Sequence, residues 1–272
     1  MINVIACIDG TSISTSVNDY AAWASLRLDA PLVLLHVLDK TEYPARTDLS
    51  GNIGLGARET LLTELAELDE KRGRVALEQG RLMLDEAKQR AIDDGVTNPI
   101  VHQRHGGLLD SLIAIEEDTR LLVLGKHDEN LGEHVGSRLE TLARSLHRPM
   151  LIANTEFKAP ERIMIAYDGS NTAHKILDMV AGSPLFAGLP CHVIMIGSDN
   201  KANRGQLEWA RHTLEASDFE VTTALEEGEV ERVLCDLLVM GAYGHSVIRR
   251  FLVGSTTTSV IRNASVPVLL LR

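Results

Sequence analysis

Aromatic residues are scarce: Phe, Trp and Tyr together make up 4% of the 272 residues. Stacked rings cannot build the core, so Leu, Ile, Val and Ala must supply it, within a hydrophobic fraction of 44%. Cysteine is scarce too. Cys7, Cys191 and Cys235 lie far apart and form no C-x-x-C pair. That argues against a disulfide scaffold and a zinc site and fits a reducing cytoplasm. A basic excess is lacking: 27 Lys and Arg stand against 38 Asp and Glu, for a net charge of −11. Such a surface repels phosphate backbones and anionic membranes. Nucleic acid is therefore not an expected partner, and any phosphate ligand must be held by local donors. No apolar run approaches the length of a membrane span. The opening MINVIACIDG has no charged region ahead of a long apolar stretch, so no signal peptide is expected.

What is present is a repeat. Residues 2–10, INVIACIDG, match residues 163–170, IMIAYDGS, and each is a short β-branched run ending in Asp-Gly. PLVLLHVLD at 31–39 matches PCHVIMIGSD at 190–199, and RLLVLG at 120–125 matches DLLVMG at 236–241. The halves close alike, with SLHRPMLIAN at 145–154 and NASVPVLLLR at 263–272. The period is too long for a solenoid, so the chain reads as a duplicated domain, 1–155 and 161–272, with its seam near Thr155–Glu161. Half one alone carries a long helical insert, roughly Leu55 to Asp94, whose helix periodicity is weakened at Gly73 and Gly80. Its apolar positions (Leu61, Leu62, Leu65, Leu68, Val75, Leu77, Leu82, Leu84) predict a buried face.

Within each half, continuous apolar strands alternate with amphipathic stretches, the pattern of a parallel sheet covered by helices on both faces. Half two reads as strand 163–167, helix 171–182, strand 191–196, helix 204–216, strand 220–224, short helix 229–234, strand 236–240, helix 254–262 and strand 267–271. Half one follows the same plan.

The informative segment is GAYGHSVIRRFLVGS, residues 241–255. Gly241 leaves a buried strand, Gly244 follows, and Gly254-Ser255 opens a helix rich in hydroxyls. Glycines allow backbone to approach a ligand, and a helix N-terminus attracts phosphate. His245, Arg249 and Arg250 lie in the loop, which has no acidic residue. The spacing fits neither the Walker loop nor the dinucleotide fingerprint. If the first and fourth strands of this half are neighbours where strand order reverses, Asp168 and the glycine loop face one crevice.

Asp168, Gly241, Gly244, Gly254, Ser255 and the terminal VPVLLL at 266–271 together resemble the universal stress protein family, and the resemblance spans the chain as two copies. It implies an α/β fold of two doubly wound five-stranded parallel sheets, each of order 3-2-1-4-5. It also implies ATP as ligand, with Mg as an optional companion. By position, Asp168 would meet the ribose or adenine side. The backbone of Ala166, Tyr167 and Ile196 would border the base, with Met240 packing nearby, and Gly241, Gly244, Gly254, Ser255 and Thr256 would hold the phosphates. The last strands of the two halves, 150–153 and 268–271, are apolar on both faces and would otherwise be open edges. The family resemblance pairs them antiparallel, as a pseudo-two-fold dimer within one chain; a further homodimer is left open.

Half one departs from the pattern. Its loop GKHDENLGEHVGS, 125–137, has Asp128 in place of the second glycine and a shorter gap to Gly136-Ser137. Asp128, Glu129 and Glu133 would stand near a triphosphate. One like-charge contact at ~4 Å costs about 4 kcal/mol at an effective dielectric of ~20, half of a micromolar affinity worth about 8 kcal/mol. Half one therefore reads as a retained scaffold with a damaged site.

Plainer roles stand beside these. The glycines could simply shape a turn, Ser255 could cap a helix, and Asp168 could form an Asx turn. For Asp9 the turn role is favoured. Arg249 and Arg250 read as solvated or paired, Thr256–Ser259 as capping residues, and Glu226, Glu227, Glu229 and Glu231 as a solvated rim. His102 and His105 have metal-like spacing, but a three-residue step along a strand sends them to opposite faces. His36 reads as a buried, hydrogen-bonded histidine. With no general base and no metal carboxylate cluster at the loop, slow hydrolysis is the most catalysis expected. The expected function is a cytoplasmic, nucleotide-gated stress-response module with a protein partner of unknown identity. An interaction scaffold without nucleotide is the alternative. An adenylate-forming enzyme is disfavoured by the absence of an H-x-G-H signature.

Overall fold

The computed structural model describes residues 2–38, 55–126, 135–227, 235–242, 260 and 264–272, with side chains from 64 and from 139 onward in the two helices that begin at 55 and 135. Half one runs β1 (Asn3–Cys7), α1 (Ser14–Leu28), β2 (Leu32–Leu38), α2 (Leu55–Asp93), β3 (Ile100–His105), α3 (Leu108–Ile113), β4 (Thr119–Gly125), α4 (Val135–Ser145) and β5 (Met150–Ala153). Half two runs β6 (Ile163–Tyr167), α5 (Asn171–Ala181), β7 (Cys191–Ile196), α6 (Lys201–Glu215), β8 (Val221–Glu226), β9 (Leu237–Gly241) and β10 (Val268–Leu271). The strands lie within two residues of their expected places. Helix α6 starts at Lys201 rather than 204 because the Asn200 side chain caps it, accepting from the Asn203 N–H at 2.9 Å. The expected helix 229–234 and most of helix 254–262 lie outside the described residues.

The strands form one ten-stranded sheet of order β3-β2-β1-β4-β5-β10-β9-β6-β7-β8. Each half therefore has the order 3-2-1-4-5. Pairing is parallel within each half and antiparallel only at the joint, where Leu269 lies opposite Leu151. The expected pairing of the last strands is what the structure shows. Both residues are almost fully buried, so an apolar strand that would have been an edge in either half becomes the centre of the sheet.

The period-two alternation of the strands divides the core into two layers. Val4, Ala6, Ile163, Ile165 and Tyr167 face one layer, with α1, α2, α5 and α6. Ile5, Met164, Ile194 and Met240 face the other, with α3 and α4. The seam is tied down as well: Phe157 packs edge-on against the buried Tyr20 ring of α1, centroids 4.8 Å apart.

Helix α2 has the expected extent but departs from expectation in its burial. It runs unbroken for 39 residues, or roughly 58 Å at 1.5 Å per residue. At Gly80 it touches the sheet: a Cβ there would stand 2.2 Å from Gln103 Nε2 and 2.7 Å from His36 Cδ2. C-terminal to that contact Leu84 and Ala91 are buried. The Arg90 guanidinium holds the almost buried Asp19 carboxylate through Nε at 2.5 Å and Nη2 at 2.8 Å. N-terminal to it the predicted buried face does not form. Leu68 is 49% and Val75 57% exposed, and Leu82 just beyond the contact is 56% exposed. The helix has left the strands that would have covered it. The side chains of Leu61 and Leu62 lie outside the described residues.

Candidate functional site

In half two the chain passes from β6 to β7 on one side and returns to β9 on the other, so strand order reverses at β6. Ligands of such sheets bind beyond the carboxyl ends of the strands at that point. Ala166, Ile196 and Met240, from three different strands, meet there on one face of the sheet. Ile196 and Met240 are buried, Ala166 is half-buried, and Ala242 and Val260 pack into the same cluster.

The Tyr167 side chain points to the opposite layer, leaving only its backbone toward the crevice. Its hydroxyl donates to Gln206 Oε1 at 3.1 Å, and its ring stacks on His174. Burial, and then the Asp168 charge, push its phenol above the usual range. Next in the chain, Asp168 builds a turn: its Oδ1 accepts the Ser170 N–H at 2.9 Å, and Gly169 takes φ +70°. The Asx-turn role foreseen for Asp168 is therefore real. Ser170 in turn caps α5, accepting from the Ala173 N–H.

Gly241 has a packing role. A Cβ on it would stand 2.8 Å from Ile176 Cδ1 of α5. Gly125, its counterpart in half one, meets Ile13 Cγ2, at the N-cap of α1, in the same way, at 2.4 Å. Both halves need glycine there for the helix to approach the sheet, whether or not the loop that follows holds phosphate. Gly244, Gly254, Ser255 and Thr256 lie outside the described residues, as do His245, Arg249 and Arg250, and Asp128, Glu129 and Glu133 of half one.

Strand register makes Cys7, Val37 and Leu124 the counterparts in half one of Ala166, Ile196 and Met240. Burial, followed by the Asp9 charge, pushes the Cys7 thiol up to about 12, which keeps it protonated. Asp9 Oδ1 accepts from the Thr11 N–H at 3.1 Å, the Thr11 hydroxyl at 2.7 Å and the Ser14 hydroxyl at 2.6 Å, in keeping with the turn role favoured for it. His36 is half-buried rather than fully buried, with Nδ1 2.7 Å from the Ile8 carbonyl.

Sequence reasoning missed the support behind the half-two turn. Gln206 Oε1 lies 3.1 Å from both Tyr167 Oη and His174 Nε2, and Trp209 packs on the His174 ring at 4.2 Å. A Cβ on Gly169 would meet Gln206 Cγ at 3.2 Å. The available signal was the i, i+3 spacing of Gln206 and Trp209 on one face of α6. Among the described residues no cluster of three His, Cys, Asp or Glu could hold a metal, and no helix is long and apolar enough to cross a membrane.

Comparison with known proteins places this fold. Residues 1–154 and 228–272 match the universal stress protein family. A universal stress protein of Synechocystis sp. is 34% identical over 287 residues, covering all of both chains. A universal stress protein from Archaeoglobus fulgidus has the same fold at 18% identity, with a TM-score of 0.63 over 99% of this chain and 96% of its own. A further universal stress protein, solved in complex with cAMP, matches 57% of this chain and 98% of its own at 20% identity and a TM-score of 0.38. A likeness that weak says nothing of this chain's ligand. On the full-length match and the shared tandem sheet, the chain belongs to the universal stress protein family.

Proposed function

We propose that the chain binds one ATP, in the crevice beyond β6, β7 and β9, and works as a nucleotide-gated stress-response module. The observation that supports this is the meeting of Ala166, Ile196 and Met240 at the point of strand reversal, beside the Asp168 turn. In this reading the small Ala166 side chain leaves room for a flat base. Backbone at Ala166, Tyr167 and Ile196 borders the base, Met240 packs near it, and Asp168 meets the ribose side. Gly241, Gly244, Gly254, Ser255 and Thr256 hold the phosphates, and ATP orders the 241–255 loop so that the surface around it changes what it binds. Half one, with three carboxylates in its loop and Cys7 in the place of the small Ala166, binds none. The chain lacks an evident general base at the loop, so hydrolysis is slow at most. Mg would travel with the phosphates rather than in a site of its own.

Mass spectrometry of small molecules released from freshly purified, denatured protein, followed by titration calorimetry with ATP, tests the reading. One ATP per chain is the expected result. No nucleotide and no heat would overturn it. That outcome would favour the interaction scaffold, for which the exposed Leu68, Val75 and Leu82 of α2 offer an apolar stripe.

A further inference from the structure

A groove of about 940 Å³ opens between the two halves, its apolar walls on the opposite layer of the sheet from Ala166, Ile196 and Met240. It falls within the size range of small-molecule sites, roughly 300–1,000 Å³. Leu28 and Leu121 from half one and Leu185, Phe186 and Leu271 from half two wall it. All five are buried apolar residues. At the mouth stand Leu26 and Met179, both exposed apolar side chains.

Two arginines also line it, Arg120 and Arg148. Leu122 lies opposite Met150 across β4 and β5, and the same register carried two residues back sets these arginines side by side. Each is held by neutral acceptors. Arg120 Nη1 donates to the Leu28 carbonyl at 2.9 Å; Arg148 donates through Nε to the Glu116 carbonyl at 2.9 Å and through Nη2 to the Glu117 carbonyl at 3.2 Å. Among the described residues neither makes an ion pair with a carboxylate, in a chain with eleven more acidic than basic residues. Asp29 lines the groove as well, but its side chain is exposed and bridges to neither arginine. Two arginines neighbouring in register, each held by carbonyls and each with N–H donors to spare along the groove, favour a carboxylate or similar anion. The apolar walls favour a chain attached to it.

We infer that this groove is a binding site for an amphipathic anion: one anionic head on Arg120 and Arg148, with an apolar chain along Leu28, Leu185, Phe186 and Leu271. The inference is independent of the proposed ATP site.

Titration calorimetry with dodecanoate, kept below its micelle-forming concentration, tests it on the full chain. Dodecyltrimethylammonium, with the same chain and the opposite charge, is the control. One dodecanoate per chain should bind, and ATP should not displace it. Arg120→Gln and Arg148→Gln should each weaken binding about tenfold, as expected for a charged hydrogen bond. Arg120→Lys should lose less. Met179→Trp, at the exposed mouth, should block entry and serves as the test if the glutamine variants fail to fold by circular dichroism. Absent dodecanoate binding, equal binding of the cationic control, displacement by ATP, or binding unchanged in the folded variants would overturn the site.

Discussion

The Sδ of Met83 lies 2.7 Å from the point where a Cβ on Gly10 would stand. The long helix of half one thus rests on the Asp9-Gly10 turn, the counterpart of the Asp168-Gly169 turn in half two. There a polar residue, Gln206, occupies the corresponding place. The two halves keep one backbone plan and surround it with different chemistry.

Gly10 takes φ +78°. Gly10→Ala should destabilise the chain by roughly 1–2 kcal/mol, the strain of a left-handed residue, since the flexible Met83 can move aside. Chemical denaturation reads the loss. Adding Met83→Ala should not restore stability, because strain rather than crowding causes it. Full recovery in the double variant would show that the contact dominates.

Arg90 sits between two carboxylates. Burial, and then the Asp19 charge, raise the Asp94 carboxyl, while Arg90 pulls it down. Arg90→Ala leaves Asp19 buried without its partner. It should cost about 3 kcal/mol at pH 7, the low end for a broken buried pair because Arg90 is half exposed. With Arg90 gone, the Asp94 carboxyl rises further. A raised carboxyl contributes stability below its unfolded value, about 3.9, and loses that contribution as pH rises through the folded value. Arg90→Ala should therefore be less damaging at pH 5 than at pH 7. A cost that does not change with pH would contradict this placement of Asp94.

Leu269 and Leu151 meet at the joint of the sheet. Leu269→Ala should destabilise by about 2–5 kcal/mol, as buried leucine truncations do. Trp23 reports on half one and Trp209 on half two, so Trp23→Phe and Trp209→Phe each leave a reporter in one half. Both reporters should show the same denaturation midpoint, and both midpoints should move together in Leu269→Ala. Separate midpoints would mean that the halves unfold independently.

Under the proposed function, Gly244→Asp gives half two the charge and side chain that half one carries at Asp128. It should abolish ATP binding and leave the circular dichroism spectrum unchanged. Asp168→Ala should weaken binding less, since it removes one ribose-side contact along with an Asx turn. Calorimetry on both variants decides. Parental affinity in Gly244→Asp would dismiss the glycine loop as the phosphate site.

Most of the fold was legible in the sequence because the strands are short, continuous and buried on both faces. Their apolar runs coincide with the observed elements. The duplicated order was legible because four blocks recur in sequence. Long-range approach was not. Gly80 reads as a weak point in the helix, yet it lets α2 pass over His36 and Gln103, which only the folded chain brings near. Gly241 reads as a ligand glycine, but Ile176 is reason enough for it. The extent of α2 was legible and its burial was not, because periodicity marks a face without saying whether another layer reaches it. The Gln206 support was missed for a similar reason: a lone polar residue on an amphipathic helix carries no sign of what it will touch.

The strands of half one run against those of half two across the β5–β10 joint. The two crevices therefore open in opposite directions, at opposite ends of a slab. Between them lie β4, β5, β10 and β9, where Val123, Leu151, Leu269 and Val239 are almost wholly buried. A close-packed slab of this kind resists continuous deformation. The only strand-to-strand route from one mouth to the other among the described residues crosses this slab, so a ligand at one end could reach the other only by shifting its packed leucines and valines.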